Sequence, residues 1–396
     1  MKIIGIEDQD EKTKKVNRKK IIIASMISVI VIALIVVICL YVANKPFRDF
    51  LDKYVFMKNV SENNLASIAI EEADTDNVFA YDKYITVLKN NILTGYNSSG
   101  KEEYTLDVEI SNAITDANGK FFLIGEKDKQ KLYLIAGNRK VWETQVEGNL
   151  SRICVNKNGY VAVILSGTTY KSVIQIFDAT GKEMFKTYLS NSIAMDVDIS
   201  SDNRYVSFVE VSTNGTLLQS KIKTISIEKA KETPSEAFVY TSETQNNKLP
   251  LDMKYQEQNR LVCLYDDNIQ VIQDNQQEEL VSLSEENKKI NYADISLSNY
   301  AVRVIEKASL LNTEDTVEII QVGSKKTNIY TLEGATRELN CYGNTIALNL
   351  GSEVHFIGTN GWLLKKYTSS QEMKKMVMCD ECAGIVYRDK IEIVHF

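Results

Sequence analysis

The sequence predicts an all-β chain, an eight-bladed β-propeller behind an N-terminal transmembrane helix. Three observations predict it: a four-strand unit recurring about every 40–45 residues, a last unit one strand short, and 23 consecutive largely apolar residues near the start. Residues 152–189 hold the clearest copy of the unit. Strands are expected over Arg152–Asn156, Tyr160–Leu165, Val173–Asp178 and Glu183–Leu189, rich in Val, Ile, Phe and Tyr. Asn158-Gly159 and Thr180-Gly181 supply positive φ where the chain reverses. Such a unit buries both faces only against neighbours like itself.

The turn between the first two strands repeats at Gly119, Gly159, Asn203, Asn259, Asn299 and Asn344, with spacings of 40, 44, 56, 40 and 45 residues. The long spacing holds a charged insertion with Pro234, residues 227–236, between the third and fourth strands of its unit. Upstream, YITVLKN, ILTGYNSSG and KEEYTLDVE complete a further blade. Downstream, MKKMVMC, AGIVYRD and IEIVHF give three strands before the chain ends. A three-stranded blade leaves an open edge, and Leu65–Glu71 is placed to fill it from the other terminus. The count is eight, with seven blades the alternative if the first or last unit is irregular.

Taken in order, residues 1–20 form a cytoplasmic tail with seven basic and four acidic groups. Residues 21–43 form the transmembrane helix, apolar apart from Ser25 and Ser28. At ~1.5 Å per residue this stretch spans a bilayer core, and it exceeds the apolar core of a cleaved signal peptide. Ile38 before Cys39 does not suit a lipoprotein site, which needs a small residue there. Six basic residues lie within 12–20, against Lys45, Arg48 and Lys53 after the span, so the ring is expected outside the cytoplasm. Residues 44–64 are expected to form a juxtamembrane amphipathic helix, with Phe47, Phe50, Leu51, Tyr54 and Val55 on one face, and a hinge. Residues 65–396 form the propeller. Removing the tail's net +3 from the chain's −7 leaves −10, which gives no bulk attraction to nucleic acid.

Chemistry-bearing patterns are few. The two histidines, His355 and His395, sit in strand-like runs and are expected to be partly exposed strand residues. Cys379-Asp-Glu-Cys382 is the one local motif with a chemical reading, a disulfide or redox pair across a hairpin turn, and two thiols with no partner is the equal alternative. No second CxxC or CxxH accompanies it to make a zinc site. Cys154, Cys263 and Cys341 lie in apolar runs and read as small hydrophobes. The acidic stretch 71–77 lacks the glycine and distal glutamate of a calcium loop and reads as a solvated loop. No phosphate-binding glycine loop is present. Catalytic, cofactor-binding and metal-binding residues are therefore expected to be absent.

The turn and strand IQIFDATGKEMFKTYL, with looser copies GYNSSGKEEYTL and FIGTNGWLLKKY, resembles the repeat of quinoprotein-like and WD-type propellers. That resemblance implies the fold. The chain departs from it in having only Trp142 and Trp362 where most blades of those enzymes carry a docking tryptophan, and in lacking a cofactor ligand set. The basic tail and span together with FRDFLDKYVF, NVFAYDKYITVL and EGNLSRICVNKNGYV resemble an uncharacterised bacterial family of single-pass membrane proteins with an extracellular propeller. It implies topology and no activity. The expected function is a membrane-tethered, non-enzymatic binding or assembly module for a protein or cell-envelope partner. The alternatives are an extracytoplasmic enzyme using carboxylates in the central funnel, or a transmembrane sensor.

Overall fold

The structure is a computed structural model that describes residues 65–396 apart from 287, 309–312 and 370, together with residues 34–41 and positions 26, 29, 31, 32 and 51. The chain divides into two units, Met1–Val60 and Ser61–Phe396. In the first, residues 34–41 are helical, and Leu34, Ile35, Val36, Val37, Ile38 and Leu40 are all exposed. Among the described residues no helix is long and apolar enough to cross a membrane. Much of the predicted span, and the predicted juxtamembrane helix apart from Leu51, lie outside the described residues.

The second unit is an eight-bladed propeller. Eight antiparallel sheets follow one another: blade 1 over residues 78–107, blade 2 over 113–145, blade 3 over 149–189, blade 4 over 193–246, blade 5 over 250–282, blade 6 over 289–333, blade 7 over 338–368 and blade 8 over 375–395. The first strand of each blade is innermost. These inner strands touch their neighbours around the axis, and Lys375–Cys379 closes back on Val78–Tyr81. Between Pro250–Tyr255 and Lys289–Asp294 the junction includes Gln256, whose Nε2 donates to the carbonyls of Ile295 (2.9 Å) and Tyr300 (3.1 Å), and the N–H of Glu257, which donates to the carbonyl of Ser298 (3.0 Å).

Blade 8 supplies three strands, Lys375–Cys379, Cys382–Val386 and Lys390–His395, and Ala66–Ala69 adds the fourth as its outer edge. The pairing is antiparallel, with Ala66 opposite Ile393 and Ile68 opposite Ile391. Ile68 is buried with Val78, Ile85, Val377, Ile391 and Ile393, so one strand joins the two ends of the chain in a shared core. The acidic stretch beside it is more than a solvated loop. Glu72–Asn77 forms a 3-10 turn, and Asp74 is buried where Lys89 reaches it (3.2 Å).

Second strands such as Phe121–Glu126 and Val161–Ser166 are buried on almost every residue, because each blade is covered on both faces by its neighbours. Trp142, on the outer strand of blade 2, packs across onto blade 3, where Gly181 has φ +85° and a Cβ would come within 2.8 Å of the indole. The expected positive φ holds at Gly159 and Gly181, and the equivalent turns have it at Gly119, Asn203 and Asn259. In blade 7 it falls on Gly343, the residue before Asn344, and Asn299 does not adopt it. The insertion in blade 4 is a one-and-a-half-turn helix, Ile227–Glu232, capped by Ser226 and ended before Pro234. Ile227 anchors it in the core between blades 3 and 4.

Candidate functional site

Four consecutive inner strands, those of blades 3 to 6, share a local irregularity. The ladder skips one residue between Leu150 and Arg152, Ala194 and Asp196, Pro250 and Asp252, and Ile290 and Tyr292. Each skip is a β-bulge, which leaves one residue unpaired and re-aims its neighbours. The unpaired residues are Ser151, Met195, Leu251 and Asn291. The residues after them, Arg152, Asp196, Asp252 and Tyr292, form an upper tier. Two positions on, and so on the same strand face, Cys154, Asp198, Lys254 and Asp294 form a lower tier.

The tiers are cross-linked between blades. Arg152 Nε lies 2.8 Å from Asp196 Oδ1, and its Nη2 lies 3.6 Å from Asp252 Oδ1. Below them, Asp198 accepts the backbone N–H of Tyr255 at 2.5 Å and the Cys154 thiol at 2.9 Å, with Lys254 Nζ at 3.9 Å. Asp116 on blade 2 accepts the N–H of Val155 at 2.7 Å. These four carboxylates and two cations line a cavity of about 260 Å3. Burial pushes the Asp196 carboxyl up to about 6 even though Arg152 pulls it down. Burial also raises Asp198, while Asp116 and Asp198 together hold the Lys254 ammonium well above its ordinary value. Asp196 Oδ2 is buried without a hydrogen-bond partner. The arrangement ties blades 2 to 5 together, and its carboxylates are largely engaged by cations and backbone N–H groups.

The same end of blades 3 to 5 carries an apolar surface. Eleven large apolar side chains of the described ring are exposed. Six of them, Tyr170, Tyr188, Ile193, Met195, Leu217 and Leu251, stand where these blades' inner strands begin and their second strands end. Leu251 is 63% and Met195 46% exposed, both at bulge positions. Tyr170 and Tyr188 pair with ring centroids 4.7 Å apart. Adjacent blades are joined here by Lys171 Nζ and Asn214 Nδ2, each donating to the carbonyl of Asn191 at 3.1 Å. An apolar concentration of this kind marks an interaction site more often than a bare surface.

The residues singled out from sequence lie elsewhere. Cys379 and Cys382 face each other at the base of the hairpin in blade 8, both buried. His355 is half-buried between Tyr330 Oη (2.9 Å) and Glu353 (3.3 Å), and burial lowers its pKa. His395 Nε2 is 3.0 Å from the carbonyl of Ser98. Among the described residues no group of three or more His, Cys, Asp or Glu side chains is arranged so that it could hold a metal ion. Cys154 is more than a small hydrophobe, because its thiol donates to Asp198. The bulges went unread because Met195 and Leu251 look like ordinary alternating strand residues. The inter-blade partners of the network lie 39 or more residues apart in sequence, beyond any local pattern.

Residues 58–396 match the model of a family of unknown function (DUF5711), and the chain belongs to that family. No curated protein matches the sequence. Among solved structures, the chain is similar to the C-terminal WD40 domain of Sif2 (12% identity, TM-score 0.56), covering 84% of this chain and 99% of that one. It is also similar to the Dos1 propeller (10%, TM-score 0.54, 87% and 97%). A third similar structure is Sqt1 of Chaetomium thermophilum bound to the N-terminus of ribosomal protein L10 (12%, TM-score 0.51, 84% and 100%). At these identities the likeness concerns the fold.

Proposed function

We propose that this member of the family is a protein-binding module, tethered to a membrane by its N-terminal segment, that engages its partner through the apolar end of blades 3 to 5. The observation that carries the reading is the concentration of six of the described ring's eleven exposed large apolar side chains on that one end, two of them on bulges. Bulges hold Met195 and Leu251 out of the ladder, so both side chains are free to make contacts without cost to the sheet. The fold supports the reading in kind, since propellers commonly serve as interaction platforms and Sqt1 was solved with a peptide segment bound.

The tether rests on the sequence from 21 to 43 and on residues 34–41, which are helical and apolar on every side. A helix hydrophobic all round needs an apolar surrounding, either a protein core or a membrane. The excess of basic residues before the span supports a cytoplasmic N-terminus and a ring outside.

The test is a paired substitution, Met195→Glu with Leu251→Glu, in the full-length chain. Both side chains are exposed, so the melting temperature is expected to stay within a degree or two of the parent. Recovery of the partner that crosslinks to the parent is expected to fall more than about tenfold, as for loss of two apolar anchors. Undiminished recovery would overturn the assignment of this face.

A further inference from the structure

Cys379 and Cys382 are buried thiols that the charged network and the proposed binding face leave unused, and they lie side by side. They are a register pair: the strands Lys375–Cys379 and Cys382–Val386 run antiparallel with Cys379 directly opposite Cys382, and Asp380-Glu381 make the turn between them. Directly opposed Cα atoms in an antiparallel ladder stand about 4.5–5.5 Å apart, inside the range a disulfide needs. The side chains point toward each other, with the sulfurs 2.7 Å apart. Both residues are at most 1% exposed and lie in the core that Ile68 of the closing strand shares with blades 8 and 1. The other described ring cysteines, Cys154, Cys263 and Cys341, belong to three different blades, and Cys154 lies at 2.9 Å from Asp198.

We propose that Cys379 and Cys382 form a disulfide that staples the hairpin of the closing blade. The oxidant is a disulfide-bearing thiol carrier, of protein or glutathione type. One cysteine thiolate attacks a sulfur of the carrier's disulfide and expels the carrier's first thiolate, giving a mixed disulfide. The second cysteine thiolate then attacks the protein sulfur of that bond and expels the carrier's second thiolate. Two electrons pass to the carrier, and its two thiolates take up the two protons that the cysteines release. Because the pair is buried in the finished ring, the exchange takes place while the blade is still open, and the bond is then shielded from reductants. Only the supply of oxidant rests on the extracytoplasmic placement proposed above; the pairing itself rests on the hairpin.

The experiment uses the full-length chain in two arms. In the first, cells are quenched with acid, and the denatured protein is treated with a maleimide mass tag before and after reduction. The expected result is two fewer tags before reduction, with the difference abolished in Cys379→Ser and in Cys382→Ser. In the second, the reduced, unfolded chain is returned to native buffer with oxidised glutathione and digested. The expected result is a peptide containing both cysteines that is lighter by two hydrogen atoms. A bond in the second arm alone supports the pairing and contradicts the extracytoplasmic placement. Full tagging in the first arm together with no linked peptide in the second overturns the proposal.

Discussion

Deleting residues 1–75 is expected to abolish the cooperative folded ring, whereas deleting residues 1–60 is expected to leave its melting temperature unchanged. The two truncations differ by the strand Ala66–Ala69 and most of the 3-10 turn Glu72–Asn77 that follows it. That strand covers the edge of Lys390–His395, and its removal exposes the apolar residues Ile391 and Ile393 beside a row of unpaired backbone groups. Burial of Ile68 alone stabilises the ring by about 1.5–3 kcal/mol. Lost with it are the ladder, the N–H of Ile70 donating to Asp389 at 3.0 Å, and the Asp74–Lys89 ion pair. Their sum is a large part of the ~5–15 kcal/mol by which domains are usually stable. Ile68→Ala in the full chain is the milder version, expected to cost about 2–5 kcal/mol. Equal melting temperatures for the two truncations would mean that the ring closes without its shared blade.

Asp198 and Asp196, two residues apart on one inner strand, are expected to respond in different ways. Asp198→Ala should cost about 3–5 kcal/mol, because it removes a buried charge partner of Lys254 and orphans the Tyr255 N–H and the Cys154 thiol. Asp196 should instead show itself in the pH dependence. Its folded pKa, about 6, lies above the ordinary 3.8. A carboxyl raised on folding binds its proton more tightly in the native state, so its contribution is favourable at low pH and is lost as pH rises through the folded value. The native ring should therefore lose about 2 kcal/mol through this group between pH 4 and pH 7. Denaturant melts of the parent and Asp196→Asn across that range isolate the effect, since titrations common to both proteins cancel in the difference. A difference that does not change with pH would contradict the burial of Asp196 as an ionisable acid.

The repeat was legible because blade packing imposes a strong local pattern. A dense apolar second strand, a polar turn and a period near 40–45 residues recur whatever the blade's role. The closing strand was legible for a related reason: three strands at the end of the chain demand a fourth, and LASIAIE alternates as an edge strand must. The charged insertion announced itself through Pro234 and the lengthened spacing. The charged network did not. Arg152, Asp196 and Asp252 come from three blades, and their convergence depends on ring geometry rather than on neighbours in sequence. A charged residue in a strand reads as solvent-facing, although Asp198 is buried and bonded across blades. The apolar end was hidden for the opposite reason: Met195 and Leu251 read as core until the bulges turned them outward.

The binding role is tested most directly by a photoreactive amino acid placed at position 195 or 251 in the full-length chain, with position 157 at the opposite end of blade 3 as the control, irradiated in intact cells. The account predicts one discrete crosslinked species from both 195 and 251, and none from 157. Crosslinking from 157 but not from 195 or 251, or no discrete species from either end, would contradict it.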